Sequence, residues 1–128
     1  MLDRIDIQIE VPAVPFRELR AGGVTGAVAE SSEDMRERAA RAREVQHARG
    51  YSNSRMPTRM IRKQCALDET GERTLEMAMR RMSLSARAHD RILKVARTVA
   101  DLDGSDSIAA KHIAEAIQYR SLDRNYWN

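Results

Sequence analysis

Arginine and lysine side chains carry most of the chemistry this chain offers. Within LSARAHDRILKVARTVADLDGS, Arg87, Arg91 and Lys94 recur at intervals of four and three, which sets all three on one face of a helix. Ser85 is placed to cap that helix, so Arg87 falls in its first turn. Unpaired backbone amides and the helix dipole already favour an anion there, and a phosphate would gain charge-assisted, bidentate bonds from the guanidinium. The competing reading is a solvated arginine row, which amphipathic helices often carry. A second group, Arg55, Arg59, Arg62 and Lys63, lies within nine residues that hold no acid. These four, with Arg91 and Lys94, are candidate contacts to nucleic acid or phosphate, against the alternative of an ordinary solvated face. His47, His89 and His112 stand on separate segments without ligand spacing, so no metal-binding residue is proposed and each reads as a surface or packing histidine. No GxxxxGK[ST] occurs, so the sequence carries no phosphate-cradling loop of its own.

The helix bearing Arg87 has Ile92, Val95, Ala96, Val99 and Leu102 as its inward stripe and Gly104 at its end. Ser107 is placed to cap a last helix with Ile108, Ile113, Ala116 and Ile117 facing inward. Upstream, a short helix is expected from about Pro57 to Ala66, with Met60, Ile61 and Cys65 as its buried side. Asp68 caps a further helix with Leu75, Ala78, Met79 and Met82 on one face. Four helices then form a small bundle between about residues 55 and 120. Before it, Ser31 or Ser32 starts an arginine-rich helix that ends near Gly50. Its apolar positions are mostly alanine, and Arg36, Arg38, Arg41 and Arg43 spread around the cylinder, so it should be poorly attached and solvated.

The first residues have a different period. Ile5, Ile7, Ile9 and Val11 alternate with Asp6, Gln8 and Glu10, the pattern of a half-buried strand that Pro12 and Pro15 stop. A lone strand lacks pairing partners, so the chain reads as a piece of a longer protein whose sheet lies upstream. The stretch from Ala21 through Gly22 and Gly23 to Ala29 has the composition of a flexible connector. At the other end, Tyr126 and Trp127 either tuck a frayed tail onto the bundle or stay mobile.

Composition agrees with one mainly all-α domain. The 128 residues, 42% hydrophobic with 4% aromatic and seven Met, can build one small aliphatic core and suit packed helices better than a sandwich or barrel. A net charge of +3 from 22 basic and 19 acidic residues indicates solvated helix faces more than a dedicated polyanion surface. The single Cys65 cannot form an intramolecular disulfide, which favours a reducing, cytoplasmic setting, and no apolar run is long enough for a membrane partner.

The block from Leu84 to Arg120 closely resembles the C-terminal helical lid of magnesium-chelatase-like AAA+ ATPases, in their competence-protein-related branch. The resemblance covers residues 1 to about 12 and about 50 to 124. It implies an AAA+ lid-type helical bundle at 51–124, an arginine-rich helix at 31–50, and at 1–30 an isolated strand and connector left from the AAA+ base. In this family the lid carries a sensor-2 arginine near the start of a helix, and Ser85-Ala86-Arg87-Ala88 is similar to that motif, which makes Arg87 the ATP-phosphate contact. LDRID at positions 2–6 resembles the segment bearing the arginine that reaches a neighbouring subunit's nucleotide, which makes Arg4 the candidate arginine finger in trans. Both would stabilise charge on the γ-phosphoryl group during transfer. The phosphate-binding loop, Walker-B acids and sensor-1 residue have no counterpart in these residues.

The resemblance therefore implies ATP and Mg in a longer parent and neither bound tightly by this chain alone. It also implies contact with the upstream AAA+ base and self-association of the parent into a hexameric ring. Relatives insert metal into a porphyrin or remodel DNA, and the competence branch and the arginine excess lean towards DNA. A free-standing helical nucleic-acid-binding module is the main alternative, and an oligomerisation piece without ligand chemistry is a third.

Overall fold

The computed structural model describes residues 6–9 and 30–120. Arg4, Ile5, Glu10 to Ala29, Arg124, Tyr126 and Trp127 lie outside the described residues, and with them the arginine-finger position, most of the expected strand, the connector and the tail. Among the described residues five α-helices follow in order, α1 Ser32–Arg49, α2 Thr58–Gln64, α3 Glu69–Met82, α4 Ala86–Leu102 and α5 Ala110–Gln118, with a 3-10 turn at Asn53–Arg55 before α2. The mainly helical fold that the apolar periodicities predict is the one observed.

Local chemistry sets the helix starts. The side-chain oxygens of Ser31, Asp68 and Ser85 accept from the backbone N–H of Asp34, Gly71 and Ala88, each satisfying one of the donors a helix start leaves open. Gly50 at φ 111° and Gly104 at φ 70° turn the chain out of α1 and α4, a conformation that glycine adopts without strain.

Helix α4 is the axis of the packing. It touches α1, α2, α5 and the 3-10 turn, while α3 lies against α5. Ile92, Leu93, Val95, Ala96 and Ala100 meet Met56, Ile61, Cys65, Leu75, Ile108, Ile113 and Ala116 in one cluster. Full burial of a side chain such as Ile92 contributes about 1.5–3 kcal/mol. The Cys65 thiol sits against Met56 Sδ at 3.7 Å, and burial pushes its pKa up to about 11.

Several expectations are corrected. Leu102 is exposed, because by the last turn the buried stripe has moved to Ala100 and Asp101. Helix α5 starts at Ala110 rather than at a Ser107 cap. The carbonyl of Ser107 is taken by Ser105 Oγ, and Ile108 pairs with Leu67 in an isolated parallel bridge. His112 reaches back over the helix start, with Nδ1 accepting from Ala109 N–H at 2.9 Å and Nε2–H donating to Asp103 Oδ2 at 2.9 Å. Pro57 is the residue before α2 rather than its first member. Residues 6–9 form no strand, and the expected burial is not seen: Gln8 is buried while Asp6, Ile7 and Ile9 are exposed. A backbone bond from Gln8 N–H to Tyr119 O at 2.7 Å docks the segment at the end of α5 rather than beside another strand.

Candidate functional site

Helix α1 exposes Arg36, Arg38, Arg41 and Arg43 as its periodicity predicts, yet its far end is firmly held. Arg49 binds Asp101 in a two-pronged pair, Nη1 to Oδ2 at 2.9 Å and Nη2 to Oδ1, and with Ala42 this joins α1 to α4. That corrects the expectation of a poorly attached helix.

Asp101 is the centre of a buried polar hub. Arg97, one turn earlier on α4, gives Nε to Asp101 Oδ1 at 3.2 Å and reaches the carbonyls of Ser105 and Asp106 at 2.8 and 2.9 Å. Asn53 donates from Nδ2 to Asp101 Oδ2 and Thr98 Oγ1, both at 2.9 Å, and its backbone N–H meets Gln46 Oε1 at 2.8 Å. Burial pushes the Asp101 carboxyl up, but hydrogen bonds from Arg49 and Asn53 and the charges of Arg97 and Arg49 outweigh it, so it titrates below the usual range. The same contacts raise the Arg49 guanidinium, chiefly through Asp101. A buried charge group with this many partners is bound into the fold and has little capacity left for a ligand.

The other end of α4 has the opposite character. Arg87 is the second residue of the helix and is exposed. Ser85 Oγ takes the amide of Ala88 at 3.2 Å and leaves the first-turn position of Arg87 facing outward. Such a guanidinium beside a helix start suits an anionic oxygen.

The row predicted on this helix is not uniform. Arg91 Nη1 is bound to Asp6 Oδ1 at 2.6 Å, and Lys94 Nζ reaches the carbonyl of Ser54 at 3.4 Å, so both are half-buried and engaged. Arg55, Arg59, Arg62 and Lys63 are all exposed around the 3-10 turn and α2. His47 is exposed, His89 is half-buried beside Asp90 at 3.1 Å, and His112 reaches back over the start of α5. No three His, Cys, Asp or Glu side chains converge on a metal site among the described residues, and no described helix is long and apolar enough to cross a membrane.

Sequence reasoning missed the hub. Its trace was Arg97 and Asp101 at an i, i+4 spacing beside Ala96 and Ala100, a charged pair inside the buried stripe. Arg49 could not be foreseen as their partner, because 52 residues separate it from Asp101.

Comparison with known proteins bears on both ends of α4. Residues 29–120 match the family model described as magnesium chelatase, subunit ChlI C-terminal. The chain is 41% identical over 124 residues to competence protein ComM of Haemophilus influenzae, covering 96% of this chain and 24% of that protein. It is 40% identical over 124 residues to the uncharacterized protein YifB of Salmonella typhimurium and to that of Escherichia coli, again covering 96% of this chain and 24% of each. The chain thus spans about a quarter of the length of these curated relatives.

Proposed function

The chain belongs to the magnesium chelatase subunit ChlI C-terminal family, in its competence-protein-related branch, and from that membership we propose that it is the sensor-2 lid of a longer AAA+ ATPase. In this reading Arg87 meets the phosphates of ATP bound with Mg on the upstream base. Its guanidinium binds more strongly as charge builds on the transferring phosphoryl group, which lowers the barrier instead of merely tightening the ground state. Arg4 is the corresponding arginine finger, acting on the nucleotide of a neighbouring subunit in a hexameric ring. The ring motor acts on DNA, a reading supported by the printed name of a competence protein among the relatives and by the arginine excess.

One observation carries the proposal. Arg87 is exposed in the capped first turn of the helix around which the bundle packs, inside the family-matched residues. A free-standing nucleic-acid-binding module is less favoured, because the relatives carry this stretch within chains about four times as long.

Steady-state ATP turnover of the longer protein tests the assignment. Arg87→Ala should lower kcat/KM for ATP by one or more orders of magnitude, about 1.4 kcal/mol of transition-state stabilisation per tenfold. Turnover within twofold of the parent's would overturn it.

A further inference from the structure

Four cations stand together on the outside of the bundle, away from Arg87 in sequence and on other elements. Arg59, Arg62 and Lys63 occupy i, i+3 and i+4 positions on α2 and share one face. That face is fixed outward, because Ile61 and Cys65, about 200° and 240° further round, are sealed in the core. Arg55 sits in the 3-10 turn just before, and this turn is held in place by the buried Asn53 and its bonds to the Asp101 hub. Lys94 brings a fifth positive charge to the rim through its contact with Ser54 O.

Several arginines elsewhere on the surface are neutralised by a neighbouring acid, whereas Arg36, Arg41 and Arg43 are exposed but stand on a helix interleaved with Glu33, Asp34, Glu37 and Glu44. Arg38 is paired with Glu30 at 2.9 Å, Arg73 with Glu69 at 3.0 Å, Arg80 with Glu76 at 2.8 Å and Arg91 with Asp6 at 2.6 Å. The 55–63 stretch contains no acid, and none of its four cationic side chains makes an ion pair among the described residues. Glu72 and Asp90 share a cleft with Arg62 and lie at one edge, so the outward pole is Arg59, Lys63 and Arg55.

We infer that the outer face of α2, with the preceding turn, is a contact surface for the phosphate backbone of duplex nucleic acid. The inference rests on the reading that the longer protein acts on DNA, and it names where this part of the chain would touch it. The face carries no exposed aromatic ring on which an unpaired base could stack, so it would read backbone charge and not base identity. Prior ordering of the turn and helix backbone leaves only side-chain ordering of the four cations to be met on binding.

The test is fluorescence anisotropy of the 128-residue chain with a labelled duplex of about 30 base pairs, and with one of its strands, between about 50 and 200 mM salt. With four phosphate contacts, log affinity for the duplex should fall against log salt with a slope of about −3.6. Replacing Arg59, Arg62 and Lys63 by Ala should cut affinity at least about tenfold and flatten the slope by about 3. The milder Arg59→Gln/Lys63→Gln pair should show part of the same loss. Replacing Arg36, Arg41 and Arg43 on α1 by Ala removes the same charge from an exposed helix and should change affinity less than about twofold. Thermal unfolding of each variant confirms that it is folded. Equal losses from α1 and α2, absence of duplex binding at the lowest salt, or tighter binding to the single strand would each overturn the inference. Because Arg87→Ala should leave this binding unchanged while lowering ATP turnover in the longer protein, failure of this surface and failure of the lid assignment give different results.

Discussion

Two arginines ten residues apart on α4 live in opposite surroundings. Arg97 is 4% exposed and its guanidinium is divided between the Asp101 carboxylate and three backbone carbonyls. Arg87 stands exposed in the first turn of the same helix. The contrast separates charge that holds a fold from charge that can meet a ligand. A buried guanidinium is tolerated only when its donors are matched, and once matched it binds the elements around it. An exposed one contributes little to stability and stays within reach of solvent.

Asp101→Ala attacks the buried end most severely, since it leaves Arg97 and Arg49 without their carboxylate. It should destabilise the chain by about 3–5 kcal/mol, read from urea or thermal unfolding. The buried thiol gives a second readout of the same opening. Cys65, with its pKa raised to about 11 by burial, should react slowly with a thiol reagent at neutral pH, and Asp101→Ala should speed that reaction by about two orders of magnitude or more.

Acid should erode the same end. Because the Asp101 carboxyl titrates lower in the folded chain than its unfolded value of about 3.9, its contribution is fully present above that value and is lost as pH falls through the folded one. Stability of the parent chain and of Asp101→Ala should therefore converge in the acid range, as followed by unfolding midpoints from neutral pH downwards.

Local changes at the two ends of α4 should have smaller effects. Ser85→Ala removes the oxygen that caps the helix and should cost about 1 kcal/mol. Gly104→Ala, at φ 70° with open space around the added carbon, should cost a similar amount through backbone strain alone. Arg87→Ala should be the mildest, within about 0.5 kcal/mol, and a larger loss would show that Arg87 belongs with Arg97 after all.

What was legible in the sequence follows the same division. Caps at Ser31, Asp68 and Ser85, the stripe of Ile92, Val95 and Ala96, and the outward position of Arg87 are local or periodic, and each could be read from neighbours within a few residues. The hub was not legible, because Arg49 and Asn53 reach Asp101 across 52 and 48 residues and no local period encodes such a meeting. At α5, no side chain caps the first-turn amides as Ser107 was expected to; instead the His112 imidazole folds back to accept the N–H of the N-cap residue Ala109. Ile7 and Ile9 had the alternation of a strand, but a side-chain period says which residues share a face and not which face is covered.

Turnover and melting measured together on the longer protein test the central claim most directly. Arg87→Ala should lower ATP turnover by one or more orders of magnitude while leaving the melting temperature of this domain within a few degrees of the parent's. Unchanged turnover with an unchanged melting temperature would contradict the assignment of Arg87 as the residue that meets the nucleotide.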